Sequence, residues 1–553
     1  MINTMRGSSA FLSILKDEGV THLFGNPGTT ELPVMDALGQ HPDLTYVLGL
    51  QEAIVVAMAD GFARASGQLV ACNVHVAPGL GNAMGSIYNA KFTRTPMIVT
   101  AGQQEVGHGL TEPLLYDPLV PMAEPLVKWA TEIVRLEDLP RTVRRAAKIA
   151  TTPPCGPVFI SLPGDVLNDE KGVDLGHRTR IDSAVRPSDA TLAALADRLL
   201  AAKNPALLVG NEVVTQDAFD EVAAFAAALG APAYQQTTPF GAHFPSEHPC
   251  FMGALSRDQK QVRGELSPYD LLVVLGADVL RMSVMSETDP LPPDLPLVHV
   301  GLDDWEMGKN YPAAMALRAD LKETLTALLP ILAAKGGTAL ATAAKARLDA
   351  LASRNWSAGR VKRVAAADAK RGAAPISAEW LMLQLADALP ADAVLVNEGL
   401  TSANSLLGFY RFRDRWNFHA FASGGIGWAM PAAVGIALAR PARPTVAIVG
   451  DGSAMYTIQA LWTAAHMKLP ITYVIADNQG YRILKQRLKA FHGNENYIGM
   501  DFLDPPIDFV GLARSLGMTA ERIEDPAAVR PALEASVASG KPTLLDVVVE
   551  RAV

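Results

Sequence analysis

Cysteine is scarce. Cys72, Cys155 and Cys250 are the only three in 553 residues, and none lies within metal-ligand spacing of another. This excludes a disulfide framework or a thiolate zinc site and points to a reducing compartment. Clustered basic charge is missing too. Lys and Arg total 48 against 57 Asp and Glu, a formal charge of −9, with no long Lys/Arg run, so no nucleic-acid partner is expected. No apolar run reads as membrane-spanning in length. The stretch from Met1 to Gly28 has no basic segment leading into an apolar one; Ala10 to Leu15 is apolar but short. The expected location is the cytoplasm, with no membrane partner. No short solenoid repeat is visible. A nicotinamide fingerprint is absent as well. In Gly79-Leu-Gly-Asn-Ala-Met-Gly85 the third glycine comes one residue late, and Gly424-Gly-Ile-Gly427 also fails the spacing.

What is present describes a well-buried α/β enzyme. The chain is 49% hydrophobic and 19% charged. It is too long for one core, and short apolar runs alternate with helical patterns in three blocks. The first, residues 1–182, has strand candidates at 21–24, 46–50, 69–75, 97–101 and 157–162. The second, 183–345, has them at 206–210, 271–276 and 297–301. The third, 346–553, opens with an Ala/Lys/Arg-rich helical and linker stretch. Its strand candidates are 393–397, 444–450, 471–476 and 542–549. The expected fold class is α/β, with three doubly wound parallel-sheet domains.

The most informative stretch is Gly450-Asp451-Gly452-Ser453, with Asn478 following 27 residues after the aspartate. Runs 444–450 and 471–476 read as neighbouring parallel strands. Together they present a carboxylate and an amide oxygen at the edge where open α/β sheets bind ligands. Hard oxygen donors beside a glycine turn suit Mg²⁺ carrying a diphosphate. An aspartate that merely caps a helix would explain Asp451. It would not explain Asn478.

Glu52 follows the strand candidate ending at Leu50. It reads either as a first-turn glutamate on the helix dipole or as a carboxylate hydrogen-bonded to a heterocycle nitrogen. His75 ends a strand before a glycine turn. His419 precedes the Gly424 loop and is a candidate cavity residue. Phe421, Tyr481 and Leu484 are candidates for an apolar pocket, though such residues also serve as plain core.

Gly450-Asp-Gly with Asn478, and Glu52 in Leu50-Gln-Glu-Ala, resemble the cofactor motifs of thiamine diphosphate (ThDP)-dependent enzymes. The resemblance narrows through Phe24-Gly-Asn-Pro-Gly-Thr-Thr-Glu-Leu-Pro33, His75 with the Gly79 cluster, Val99-Thr-Ala-Gly-Gln-Gln104 and Ala460-Leu-Trp-Thr-Ala-Ala465. These are similar to the benzoylformate decarboxylase family, in order along nearly the whole chain. The resemblance implies a pyrimidine-binding, a middle and a diphosphate-binding domain. Asp451, Asn478 and the Gly480 carbonyl would hold Mg²⁺. Gly452, Ser453 and the Leu400-Thr401 segment would hold the diphosphate; the family has two hydroxyls in that segment, but here only Thr401 supplies one. Ile426, beside Gly425, would bend the cofactor, with Tyr481 close by. Glu52 would act on the pyrimidine ring. The implied reaction is non-oxidative decarboxylation of a 2-oxo acid to an aldehyde and CO₂, with possible joining of aldehydes to 2-hydroxy ketones.

Two substrate positions depart from the family. Thr29 stands where it has serine, and Ser283 where it has a histidine, a far better proton relay near neutral pH. Protonation would then fall to His75, His419 or water. The run Gly156-Pro-Val-Phe-Ile-Ser-Leu-Pro-Gly-Asp165 is also common in acetolactate synthases, some of which bind FAD in the middle domain. A carboligase of that kind is the alternative, and a non-catalytic ThDP-binding subunit is a third reading. In this superfamily the cofactor lies between subunits, which implies a homodimer at least and points to a homotetramer.

Overall fold

The computed structural model describes residues 2–553. Three six-stranded sheets, each wholly parallel, follow one another along the chain. The first has the spatial order Thr45–Leu48, His22–Gly25, Val70–Val74, Met97–Gln103, Pro157–Pro163, Ala130–Glu132. The second runs Phe251–Ala254, Ala233–Gln235, Pro205–Val209, Leu271–Leu275, Leu297–Gly301, Met315–Arg318. The third runs Phe418–Ala420, Val394–Glu398, Thr445–Gly450, Ile471–Asp477, Thr543–Val548, Thr519–Ile523. The central strands are continuous β-branched and apolar runs because helices cover both faces of each sheet. A small antiparallel pair, Ile2–Arg6 with Glu170–Asp174, ties the two ends of the first block together.

The first and third sheets share one core. The helix Glu52–Ser66 packs tightly on Ala429–Ala439. A Cβ at Gly435 would fall 1.9 Å from the Met58 carbonyl oxygen, and one at Gly61 would fall 2.3 Å from that of Ala432. Only glycine lets the two backbones approach this closely. Two polar bonds pin the same contact: Trp428 Nε1 donates to Asp60 Oδ2 at 2.6 Å, and Thr463 Oγ1 donates to the Leu48 carbonyl at 2.8 Å.

One sequence expectation needs correction. The helical stretch Leu321–Asp368 is long and apolar enough, by length and composition, to cross a membrane. Its alanines and leucines are interrupted by polar residues, singly and in short runs such as Lys322-Glu323-Thr324, so it does not look like one apolar run. The stretch carries Pro330 and leaves helical geometry at Gly337 (φ +49°). Leu321, Leu325, Leu328 and Leu332 join the core of the second sheet, against helices Asp189–Ala201 and Phe219–Leu229. This packing is that of a covering helix of an α/β domain.

Candidate active site

At the third sheet, Gly450 pairs with Ala476, so both strands deliver their next residues at the same level. Asp451 opens a one-turn helix and is buried. Its Oδ1 accepts the Gly452 N–H at 2.7 Å and its Oδ2 accepts the Gly480 N–H at 3.0 Å. Burial pushes its pKa up to about 7, a cost that a divalent cation alongside would remove. Asn478 is also buried, and its Nδ2 lies 3.4 Å from Ser402 Oγ. With the amide nitrogen so occupied, the amide oxygen remains for a cation. Among the described residues no group of three His, Cys, Asp or Glu gathers to hold a metal. The donor set here is instead one carboxylate, one amide and a backbone carbonyl, which suits a hard cation that keeps phosphate and water ligands.

Around this edge, Tyr481 lies over Gly452, where a Cβ would meet its ring at 2.6 Å. The Tyr481 ring stands edge-on to Phe502 at 4.8 Å, and its N–H goes to the Met500 carbonyl. Ser453 is buried, and its hydroxyl has no hydrogen-bond partner of ordinary geometry, although it is close enough to Glu398 to favour that carboxylate's ionised form. An orphaned hydroxyl beside glycine N–H groups fits a phosphate oxygen. Leu400 sits in the left-handed region (φ +46°) and opens a tight turn carrying Thr401. A branched residue held there is strained, and such strain concentrates at functional sites.

Glu398, which sequence reasoning missed, governs the Gly425-Ile426 loop. It is fully buried at the end of its strand and accepts the Gly427 N–H at 2.5 Å and the Ala429 N–H at 2.6 Å. Burial pushes its pKa up to about 7. Thr457 Oγ1 holds the Gly427 carbonyl at 2.7 Å. Ile426 is thereby fixed, half-buried, at the mouth of the site.

The first sheet presents a second cluster. Glu52 is buried at the start of its helix, behind a Gln51 cap, and accepts from Asn82 Nδ2 at 3.0 Å. His75 Nδ1 lies 2.7 Å from Glu31 Oε2. Glu31, also missed, is 1% exposed and collects the N–H groups of Gly28 and Gly102 and the Thr30 hydroxyl, each at 2.8 Å. The Gly28 backbone rests directly on the imidazole. The available signal was the three-residue spacing from Gly28 to Glu31, typical of a side chain capping a backbone N–H.

Thr29 begins a short turn and is exposed, as is Ser283 on the loop after Leu271–Leu275. Among the described residues neither hydroxyl makes a hydrogen bond, so the structure does not tie Ser283 to His75. His419 is buried on an edge strand and lines a different cavity, between domains. Burial holds its pKa well below the ordinary value, which makes it a poor proton donor. Phe421 packs against the core shared by the first and third sheets, while Leu484 is 47% exposed.

Three parallel sheets with a carboxylate, glycine turn and amide at the edge of the third define an α/β enzyme that anchors a phosphorylated cofactor. The chain belongs to the thiamine pyrophosphate enzyme family: the N-terminal TPP-binding, central and C-terminal TPP-binding domains match residues 5–114, 192–328 and 401–547. It is 34% identical to a benzoylformate decarboxylase of Pseudomonas aeruginosa, over 98% of each chain. It is 29% identical to an acetolactate synthase large subunit of Parasynechococcus marenigrum, over 99% of this chain and 88% of that one. It superposes on the 4-hydroxybenzoylformate decarboxylase of Rhodococcus jostii with a TM-score of 0.87, at 30% identity and 99% coverage of both chains. The resemblance read from the sequence therefore holds, as do the α/β fold class, ThDP as cofactor and a catalytic, lyase-type role.

Proposed function

We propose that this enzyme uses ThDP and Mg²⁺ to decarboxylate a 2-oxo acid, releasing an aldehyde and CO₂. The observation that carries this reading is the pairing of His75 with Glu31. ThDP, when bound, would supply a nucleophile for the substrate carbonyl and an electron sink for the loss of CO₂. Making an aldehyde then needs a proton at the carbonyl-derived carbon. A carboxylate on Nδ1 keeps the proton there and leaves Nε2 to exchange protons. Glu52, steadied by Asn82, would hold the pyrimidine nitrogen. Asp451, Asn478 and the Gly480 carbonyl would hold Mg²⁺. Gly452, Ser453 and Thr401 would face the diphosphate, with Leu400 setting the turn. Gly425 and Ile426, with Tyr481, would shape the cofactor's seat. Thr29 would face the substrate carboxylate.

The test is a panel of 2-oxo acids given to purified holoenzyme, with CO₂ and aldehyde both measured. No CO₂ from any acid, with cofactor bound, removes the proposal. Ser283 favours a second reading, carboligation of the acetolactate synthase kind: without a histidine there, slower protonation gives a second carbonyl time to react. Accumulation of 2-hydroxy ketone in place of aldehyde would select it.

We further propose that residues 1–182, 183–345 and 346–553 act as the pyrimidine, middle and diphosphate domains, and that the two half-sites meet across a subunit interface. Supporting this, Glu52 finds its partner Asn82 in its own domain, and the partners of Asp451 all belong to the third. Apolar side chains stand exposed close by in the chain: Leu50 two residues before Glu52, and Tyr456 five residues after Asp451. A homodimer, assembled in pairs as a tetramer, would cover them. A fully active monomer in sedimentation would refute it. The reading places the enzyme in the cytoplasm, acting on small 2-oxo acids and aldehydes.

A further inference from the structure

The middle sheet reverses its strand order between Pro205–Val209 and Leu271–Leu275, which is where an open α/β sheet opens a crevice for a nucleotide. A cavity of about 890 Å³ lies outside that edge, walled by the first and third domains. The FAD of some acetolactate synthases would occupy such a crevice. The residues here do not fit it.

Glu212, three residues beyond the first switch-point strand, reaches across the crevice. Its Oε2 accepts the Leu302 N–H at 2.6 Å and its Oε1 the Asp303 N–H at 3.0 Å. Those two groups follow the strand Leu297–Gly301 and are the donors an anionic ligand would need. The glycines of the crevice are used for the same purpose. A Cβ at Gly276 would fall 2.3 Å from Glu212 Cβ, and one at Gly301 would fall 3.0 Å from Glu212 Oε2. They make room for the chain's own carboxylate, not for a cofactor backbone.

Three of the rim's cations are already paired with carboxylates. Arg94 pairs with Asp303 at 2.7 Å, and Arg281 and Lys309 pair with Glu306 at 2.8 and 2.5 Å. A pyrophosphate entering here would have to displace Glu212 and break these pairs. Its own charge would then face Glu212 and Asp278, both on the cavity wall.

We infer that Glu212 plugs the middle-domain crevice and that this enzyme binds no flavin or adenine dinucleotide there. The plug is built into the middle sheet and is independent of the ThDP edge, so its failure would leave the decarboxylase reading untouched. Purified holoenzyme, loaded with ThDP and Mg²⁺, should show no flavin absorbance. Titration with FAD, followed by flavin fluorescence, and with ADP, followed by calorimetry, should show no saturable binding. Glu212→Gln keeps the side chain's volume and should behave like the wild type. Glu212→Gly empties the crevice and should gain saturable FAD or ADP binding, at least about tenfold above wild type, or ~1.4 kcal/mol. Saturable binding by the wild type overturns the inference. A folded Glu212→Gly, with unchanged ThDP-dependent turnover, that binds neither ligand better than wild type also overturns it.

Discussion

His75 Nδ1 and Glu31 Oε2 lie 2.7 Å apart, and Glu31 is itself held by the N–H groups of Gly28 and Gly102. The carboxylate is thus an anchor fixed from a turn and from a central strand, and the imidazole inherits that rigidity. Glu31→Gln keeps the shape but can present an N–H to Nδ1, which would favour the other tautomer. Turnover should fall on the order of 10- to 100-fold, as when a histidine's orienting partner is lost. ThDP affinity, read from tryptophan quenching, should be unchanged. Equal losses in affinity and turnover would point to a collapsed loop instead.

Among the described residues Glu52 touches no cation, and its one side-chain partner is the Asn82 amide. Glu52→Gln should fold normally and lose turnover by roughly 10²- to 10⁴-fold, the range of a positioned acid–base group. Hydrogen–deuterium exchange at the cofactor's reactive C–H, followed by NMR, should slow in parallel. Unchanged turnover would remove Glu52 from the chemistry.

The metal-binding assignment predicts a reversible loss. Chelation should abolish turnover, and Mg²⁺ with ThDP should restore it. Asp451→Ala removes the only carboxylate of that donor set and should weaken Mg²⁺-dependent ThDP binding by at least about tenfold, measured calorimetrically. Wild-type-like affinity in that variant would place the metal elsewhere.

Much of the cofactor edge was legible because its residues sit at the ends of central strands. Buried on both faces, those strands read as plain apolar runs, such as 444–450 and 471–476. The edge strands Ala130–Glu132, Phe251–Ala254, Met315–Arg318, Phe418–Ala420 and Thr519–Ile523 went unread. Each is short and paired on one side only, so no run of β-branched residues marks it. Glu31 and Glu398 were hidden for another reason. Their partners, Gly102 on a strand and Gly427 on a loop, lie 71 and 29 residues away, and no local pattern records such closures. Glu212 has the same kind of distant partners, the N–H groups of Leu302 and Asp303, 90 and 91 residues further on.

Ser283 is exposed on a loop that nearby pairs hold in place, with Arg281 stacked 4.7 Å over Phe92 and bonded to Glu306. Placing an imidazole there should speed protonation and cost little stability. Ser283→His is expected to raise the aldehyde-to-hydroxyketone ratio severalfold, by product analysis from one 2-oxo acid. An unchanged ratio would place this loop outside the substrate's reach.

Two buried glutamates give the apo-protein's stability a defined pH dependence. Burial raises both Glu212 and Glu398 from the ordinary 4.5 to about 7. The folded chain therefore holds these protons more tightly than the unfolded chain does. Their contribution to stability is full below about pH 4.5 and is lost as pH rises through about 7. Glu212→Gln removes one of the two titrations. The difference in melting temperature between this variant and wild type should therefore shift in the variant's favour as pH is raised from about 5 to about 8. The comparison isolates Glu212, because every other group titrates alike in both proteins. A difference that stays flat, or moves toward the wild type, would mean that the Leu302 and Asp303 N–H groups stabilise the carboxylate more than burial penalises it.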